Sequence, residues 1–358
     1  MSETTQTKET VGSFTMKVLN GSATAIIVSL LPSAILSTFL TPFAGSNAIV
    51  ANLLHIVTVF QYFFAVMCGF STAKQFNLGY TEAACVGGAA FLGSGCMTAV
   101  TTTTVKGVTT TSFQLAGMGD VINTMLTAAV AVLFIKWVGN RFGSLGIVFF
   151  PILAGTGVGF LGSLTKPYVS LVTTAIGDVI NTFTKLAPYP MCILIAMSFA
   201  IIIVTPLSTV AISVAIGLAG MGSAAAGFGL ASTAAFLFWA TLKVDKPGVQ
   251  VAIFLGVIKM MMPNFLRYPV IGIPIALTAA ISTLSVPILG MQGTPASGGF
   301  GLIGAVSPLA AYNAGFHNVL VLVIVWVVVP FAVGYLMKKI FVDWTKIYKP
   351  EYFISPAR

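Results

Sequence analysis

Long apolar stretches recur along the chain, and each has about the length of a helix that crosses a lipid bilayer, roughly 20 residues. They follow one another from residue 14 to residue 337, with short polar breaks between them. Only 7% of the 358 residues are charged, whereas soluble domains carry about 25%. A soluble fold of this composition would leave large apolar patches in water. The sequence therefore predicts an all-α polytopic membrane protein.

The first half of the chain is predicted to cross the membrane in a simple up-and-down manner. Its predicted spans cover residues 14–40, 47–70, 80–100, 117–135 and 145–164. Cations lie between the apolar runs, as at Lys74, Lys136 and Arg141, and they recur in the tail from Lys338 to Lys349. Cations beside membrane helices favour the cytoplasmic side. The pattern predicts cytoplasmic N- and C-termini, and it gives no reason to expect a nucleic-acid partner.

Two segments of the first half are too polar to face lipid. The threonine-rich stretch 101–112 is predicted to be either an exposed loop or a re-entrant segment lining a wet cavity. Residues 168–186 are amphipathic and are flanked by Pro167 and Pro188. An amphipathic helix suits the membrane interface, so we interpret residues 166–188 as an interfacial or crossover helix between two halves of the molecule.

The second half is broken more often. Its predicted apolar helices cover residues 191–204, 209–220, 224–242, 249–262, 270–288 and 318–337. Its cations cannot all be cytoplasmic if every helix spans once, so 249–262 or 288–316 is predicted to be a half-span or a hairpin. The length of the chain allows about ten transmembrane helices in all. The polar breaks at 205–209 and 290–313 are typical of discontinuous helices that supply binding groups in transporters.

Polar side chains in and beside these breaks are the candidate binding groups. Hydroxyls, amides and free backbone groups suit a neutral polyol, sugar or heterocycle, whereas a cation channel more often shows rings of carboxylates. The predicted substrate-binding residues are Asp120, Asn123, Thr205, Ser208, Gln292, Thr294, Ser297, Asn313, His317 and Asn318. No catalytic residue, metal site or cofactor is predicted, because no nucleotide-binding loop and no metal-ligand spacing is present.

Several other features have two interpretations each. His55 is either a hydrogen-bonded core residue or a functional group at membrane depth. Lys259 either reaches the lipid headgroups with its ammonium or has a function. The hexapeptide GDVINT occurs at 119–124 and at 177–182, where Asp is expected to cap a helix start or to mark a duplicated site element. The cysteines are predicted to be small buried hydrophobes, at Cys68, Cys85, Cys96 and Cys192.

Three motifs resemble those of a known family. They are TPLSTVAI at 205–212, GLAG at 217–220 and GTPASGGFGLIG at 293–304. In this order and spacing they are similar to the enzyme IIC membrane subunits of the bacterial phosphotransferase system. Within these subunits the chain is most similar to the perfringolysin O regulator-like branch, which is named for toxin regulation. The resemblance extends over most of the chain.

The resemblance implies an enzyme IIC-like fold in the bacterial cytoplasmic membrane and a homodimer. Each protomer would have an N-terminal helical group that forms the dimer contact, an amphipathic crossover, a C-terminal transport group with a re-entrant hairpin, and a cytoplasmic tail. We place these at residues 1–165, 166–188, 189–340 and 341–358. Such permeases move a sugar by an elevator-like shift while a separate IIB subunit phosphorylates it, so the chain itself is not expected to be an enzyme.

The chain departs from the sugar-transporting relatives in one respect. They use a His and a Glu near the substrate hydroxyl, but no Glu lies between Glu82 and Glu351 here, and His317 does not align with the family's site histidine. We therefore expect a permease for a small uncharged polar solute. The alternatives are a membrane sensor or regulator of gene expression that retains the scaffold, and a pore or scaffold without a saturable site.

Overall fold

The structure, a computed structural model, describes residues 10–103, 109–295 and 297–355. It is 76% helical with almost no strand. Six of its helices are long and apolar enough to cross a membrane, or seven if one bent pair of helices is counted as a span. These features confirm the predicted all-α polytopic membrane fold, although several of the expected spans prove to be shorter, broken helices.

The described residues of the first half form seven α-helices and two strands. Their bounds are α1 Val11–Ala44, α2 Ala48–Tyr62, α3 Phe64–Gln75, α4 Tyr80–Ser94, β1 Met97–Thr103, β2 Thr109–Leu115, α5 Val121–Val138, α6 Gly146–Phe149 and α7 Val158–Phe183. Short polar side chains satisfy free N–H groups where helices begin, as Thr10 does for α1 and Asn47 for α2. The bent pair is α2 and α3, whose axes meet at 42°, so the span predicted at 47–70 is a broken one.

The described parts of the threonine-rich stretch lie in two paired strands, which neither predicted alternative described; residues 104–108 lie outside the described residues. Strands β1 and β2 pair antiparallel, with Thr101 opposite Thr111 and Ala99 opposite Phe113. Threonine is β-branched and fits a pleated strand, which explains why a run of threonines forms strands here. Every residue of β2 is exposed, so the expectation of an exposed segment was correct, but its irregular structure was not.

The helix after α5 is longer than predicted. A 3₁₀ turn at Gly143–Leu145, α6, a π-helical stretch at Phe150–Gly157 and α7 follow one another without a break, over 41 residues. Pro167 lies inside α7, so the prediction that it bounds a separate helix at 168–186 was wrong. A proline is tolerated within a membrane helix when neighbouring groups satisfy the freed carbonyl.

The second half is divided into more helices, although the helical runs at Gly220–Thr241 and Val319–Trp344 are long enough to span a membrane. Their bounds are α8 Pro188–Ile202, α9 Thr209–Ala215, α10 Gly220–Thr241, α11 Pro247–Phe254, α12 Met262–Arg267, α13 Gly272–Ser282, α14 Ser285–Leu289, α15 Val306–Asn313, α16 Val319–Val323 and α17 Val329–Lys338. The helix predicted at 209–220 stops early, since Gly217 adopts a positive φ of 61°. The segment 249–262 is broken at Gly256, whose φ is 98°, so it does not form one span.

Helix α10 lies at the centre of the second half. Of its most apolar window, 89% is buried, and it packs against α8, α13 and α17. Glycines allow these close approaches, as membrane helices require. A Cβ at Gly229 would lie 2.3 Å from the carbonyl oxygen of Ala196 on α8, and one at Gly334 would lie 2.9 Å from the backbone nitrogen of Phe236.

Helices α8 and α10 approach each other closely at Gly229, so a larger side chain at this position should lower the stability of the protein. We expect Gly229→Leu to lower the free energy of unfolding by about 1–3 kcal/mol, because the new side chain must push α8 away. The measurement is thermal unfolding of the detergent-solubilised protein. The control is Gly88→Leu, at an exposed helical position where a Cβ meets no atom within 4 Å. Equal unfolding temperatures for the two variants would contradict this packing.

Candidate functional site

The first break begins where α8 ends. The hydroxyl of Thr205 donates a hydrogen bond to the carbonyl of Ile202 at 2.6 Å, which satisfies one of the carbonyls left free at a helix end. Ser208 then caps α9 by accepting a hydrogen bond from the N–H of Ala211 at 3.2 Å. Both predicted site residues in this break therefore have local structural roles.

Two further carbonyls of the first break are satisfied by a lysine from another part of the chain. The ammonium of Lys259 donates hydrogen bonds to the carbonyl of Thr205 at 2.8 Å and to the carbonyl of Leu207. Lys259 is buried, so the prediction that it reaches the lipid headgroups was wrong. Its side chain points into the protein and supplies donors that the broken backbone lacks.

The second break is attached to the start of α10. Helix α14 ends at Gly290, whose φ of 63° turns the chain back. Gly220 and Gly293 then form an antiparallel bridge, in which each N–H donates to the carbonyl of the other at 2.9 and 3.0 Å. The N–H and carbonyl groups of these two glycines thus satisfy each other, although the glycines are far apart in sequence.

A network of hydroxyls fixes the second break. The Ser297 hydroxyl accepts from the Thr294 N–H at 2.9 Å and donates to the Thr294 carbonyl at 3.0 Å. The Ser223 hydroxyl on α10 also donates to the Thr294 carbonyl. The Ser307 hydroxyl donates to the Ser297 carbonyl at 2.6 Å. Ser297 is buried and its hydroxyl is fully engaged in holding the segment.

The two breaks meet at a glycine pair. The Thr209 hydroxyl donates to the Gly299 carbonyl at 2.9 Å. A Cβ at Gly299 would lie 2.4 Å from the backbone of Val210, and one at Gly298 would lie 2.5 Å from the hydroxyl of Ser213. Only glycine fits this approach. We call the joined residues 205–209 and 290–299 the break junction, of which the structure describes all but residue 296.

Five predicted binding residues are exposed near the break junction or on the following segment. Gln292 and Thr294 are exposed on the second break itself. Asn313, His317 and Asn318 are exposed between α15 and α16. The ring of His317 lies 4.9 Å from that of Tyr312, centroid to centroid, and Asn318 caps α16. These side chains offer amide, hydroxyl and imidazole groups to a solute.

Asp120 and Asn123 belong to a different part of the molecule. Asp120 caps α5 by accepting from the N–H of Asn123 at 2.8 Å. The buried amide of Asn123 donates to the carbonyls of Gly93 and Gly162 and accepts from the hydroxyl of Thr165 at 2.8 Å. It therefore joins α4, α5 and α7, which are not elements of the break junction.

Comparison with known proteins gives the family. Residues 16–355 match the family model of the phosphotransferase system EIIC proteins. The chain belongs to this family. No curated protein matched the chain. EIIC proteins are the membrane-embedded transport subunits of the phosphotransferase system and work with IIB partners, so this chain is a multi-pass membrane component of that type.

The repeated hexapeptide has two different environments in this EIIC chain. Asp120 caps a helix as predicted, but Asp178 in the second copy lies exposed inside α7. Asn181, the counterpart of Asn123, is also exposed. The two copies therefore do not form equivalent site elements. His55 is exposed on α2 rather than buried, which contradicts its interpretation as a core residue, whereas all four cysteines are free and buried as predicted.

Two cavities of the EIIC chain lie away from the break junction. One, of about 470 Å³, lies between the start of α4 and the end of α5 and includes Glu82, Lys136 and Asn140 in its lining. The other, of about 590 Å³, is apolar and lies between α7 and α8, with Ile176 and Met197 in its lining. Neither contains a residue of the predicted binding set.

Two residues that hold the break junction were missed in the sequence, and a third was noticed without its contacts. Ser223 and Ser307 lie in small-residue stretches and have no pattern that marks them. Lys259 did carry a signal, because a cation within an apolar run at membrane depth is expensive. Its contacts with the 205–209 break could not be read from the sequence, because more than 50 residues separate them.

Asn123 is buried and Asn181 is exposed. The same substitution should therefore change stability differently in the two copies of the hexapeptide. Asn123→Leu removes the amide hydrogen bonds to the carbonyls of Gly93 and Gly162, of which the Gly162 carbonyl keeps the hydrogen bond from the Thr165 hydroxyl. A buried group left unsatisfied costs about 1–3 kcal/mol. We expect a clear drop in the unfolding temperature in detergent. Asn181→Leu is the matched control, and it should leave the temperature nearly unchanged because its side chain is exposed. Equal drops would show that the amide does not join these helices.

Proposed function

We propose that the chain is a permease subunit for a small, uncharged polar solute, sugar-like or heterocyclic. The observation that carries the proposal is the hydrogen bond from the Thr209 hydroxyl to the Gly299 carbonyl, which joins the two helix breaks into one unit. Broken helices of this kind line the substrate sites of transporters, because their free backbone groups need protein or trapped water around them. Membership of the EIIC family supports a transport role.

Within this proposal the exposed polar side chains contact the solute. Gln292 and Thr294 lie on the second break and are not buried in the packing. Asn313, His317 and Asn318 follow in the segment after α15. Thr205, Ser208 and Ser297 shape the site, since their side chains form internal hydrogen bonds and none of the three is exposed. Asp120 and Asn123 act by holding helices together.

We further propose an elevator-like movement of residues 189–340 against residues 1–165. The crossover 166–188 connects the two groups, and much of it belongs to the continuous helix α7, which suits a stiff link. The N-terminal group would form the contact of a homodimer, and the tail 341–358 would lie on the cytoplasmic side of a bacterial membrane. A separate IIB-type subunit would carry out any phosphoryl transfer. The region between Glu82 and Glu351 lacks the glutamate used by sugar-transporting relatives, so sugar phosphorylation is not part of the proposal.

The direct test is uptake into proteoliposomes. A panel of radiolabelled hexoses, hexitols and nucleobases is offered to vesicles with and without the purified chain. For the solute that enters, we expect Gln292→Leu and Thr294→Val each to weaken apparent affinity about tenfold, the effect of losing one hydrogen bond of roughly 1.4 kcal/mol. Thr174→Val, exposed on α7, is the control and should leave uptake unchanged. If no member of the panel enters, the sensor or regulator alternative is favoured instead.

A second prediction concerns the glycine at the tip of the second break. Gly299→Val should abolish solute uptake without preventing membrane insertion, because its side chain collides with the backbone of Val210. Gly248→Val is the control, at a position where a Cβ meets no atom within 4 Å. Uptake and the yield of monodisperse protein in detergent are measured together. An unchanged solute affinity in Gly299→Val would remove the second break from the site.

A further inference from the structure

A polar cavity lies between the start of α4 and the end of α5, and its volume is about 470 Å³. Sites for small ligands have volumes of about 300–1,000 Å³. The polar part of the lining consists of one carboxylate, one ammonium, two amides and two hydroxyls, from Glu82, Lys136, Asn77, Asn140, Thr81 and Ser144. None of these side chains belongs to the break junction. The cavity therefore offers a separate site for a small polar ligand.

The lining of this cavity has one charged group of each sign. The carboxylate of Glu82 is half-buried, and it forms no hydrogen bond or ion pair within the part of the chain that the structure describes. The ammonium of Lys136 lies 5.2 Å from the centre of the Phe76 ring. An ammonium has three N–H donors, whereas a carboxylate only accepts. The cavity therefore suits a ligand that carries both an anionic and a cationic group.

Three further cations lie at the same end of the first half without lining the cavity. The ammonium of Lys17 lies 5.0 Å from the centre of the Phe76 ring, and the guanidinium of Arg141 lies 5.2 Å from the centre of the Trp137 ring. Lys74 donates to a backbone carbonyl at 2.9 Å. Cations and aromatic rings at the ends of membrane helices lie at the level of the lipid headgroups. The cavity is therefore placed where headgroups are found.

A mostly apolar groove adjoins this cavity. The groove has a volume of about 350 Å³ and lies between α4 and the π-helical stretch Phe150–Gly157. Thr81 lines both the cavity and the groove, which extends along α4 as far as Leu92. At 1.5 Å per residue this length is about 16 Å, half of the roughly 30 Å hydrocarbon core. A Cβ at Gly88, which lines the groove between these ends, would meet no atom within 4 Å, so the groove has room for an extended chain.

A polar cavity that continues into an apolar groove of this length matches a membrane lipid better than the other occupants. A small solute would leave the groove empty. A second copy of the chain would bury the Glu82 carboxylate and the Lys136 ammonium in its contact, which is costly unless both charges find partners. A phospholipid fills both parts, since its headgroup is charged and its acyl chains are not.

We propose that the cavity and the groove together bind one phospholipid with a phosphoethanolamine headgroup. Its phosphate accepts a hydrogen bond from the Lys136 ammonium, its primary ammonium donates to the Glu82 carboxylate, and one acyl chain lies in the groove. Phosphatidylcholine has a quaternary ammonium without N–H donors, and phosphatidylglycerol has no cationic group, so neither lipid pairs with both residues. The inference goes beyond the proposed transport function and does not depend on it.

Native mass spectrometry of the full-length chain in detergent tests this assignment. Palmitoyl-oleoyl phosphatidylethanolamine, phosphatidylcholine and phosphatidylglycerol are supplied one at a time, and free phosphoethanolamine is supplied separately. We expect one phosphatidylethanolamine per protomer, bound about tenfold more tightly than the other two lipids, which is the effect of one charge-assisted hydrogen bond. Free phosphoethanolamine should bind at least about a hundredfold more weakly than the lipid, because it leaves the apolar groove empty.

Variants of the two charged residues separate the parts of the headgroup. Glu82→Met should remove the preference for phosphatidylethanolamine over phosphatidylcholine, because no carboxylate remains to accept from the primary ammonium. Lys136→Met should weaken the binding of all three lipids about tenfold, because each of them has a phosphate. The matched controls are Glu351→Met and Lys185→Met, at exposed positions that do not line the cavity. Both controls should keep the affinities of the natural chain.

A bulky side chain tests the groove. Gly88→Trp places an indole in the groove without a collision at its Cβ, and it should weaken the binding of all three lipids at least about tenfold, because the acyl chain loses its apolar contacts. Gly248→Trp is the matched control, since a Cβ at Gly248 also meets no atom within 4 Å. The same spectra report whether each variant is a monomer or a dimer.

Equal affinities for the three lipids in the natural chain, or tightest binding of phosphatidylglycerol, would overturn the proposal. Free phosphoethanolamine that binds as tightly as the lipid would remove the groove from the site. Lipid binding that persists in Gly88→Trp would do the same, and a loss of dimers in that variant would then assign the groove to a second copy of the chain. If Gly88→Trp does not fold, the comparison of Glu82→Met with Glu351→Met decides the question.

Discussion

Every backbone polar group at membrane depth needs a partner inside the protein, and the second half of this chain is organised around that need. Lipid offers no hydrogen bonds, so a broken helix can persist only where other parts of the chain supply donors and acceptors. Here a lysine amine serves the first break, a glycine–glycine bridge joins the second break to α10, and serine and threonine hydroxyls complete the set. The break junction exists because these partners come together.

Small residues make this arrangement sterically possible. Helix α10 is buried along most of its length and carries glycine or serine where other segments approach, as at Gly229 and Ser223. A larger residue at the tip glycines would collide with α9. Membrane helices lack a hydrophobic force between them and depend on such close contact. The same small side chains that bring segments together also leave the hydroxyls within reach of the carbonyls.

The chemistry of the break junction is mostly neutral, with one titratable group at its edge. Exposed amide and hydroxyl groups on Gln292 and Thr294 suit a solute that forms hydrogen bonds and carries no charge. Lys259 differs from them because it faces inward and contacts backbone rather than solvent.

The sequence by itself determined the membrane class, the buried cysteines and the positions of the two breaks, because these follow from local composition. Long apolar runs can only be solvated by lipid or protein, and the Pro-, Gly- and Ser-containing stretches at the two breaks carry turn residues that interrupt helices. It also determined the helix cap at Asp120, which depends on neighbouring residues only. Tertiary structure decided that β-branched threonines pair as a hairpin, that α7 continues through Pro167, and that Asn123 and Asn181 differ in burial despite identical neighbours. It alone decided that Lys259 meets Thr205 and that Gly293 meets Gly220, because such contacts depend on which distant segments the fold brings within hydrogen-bonding distance.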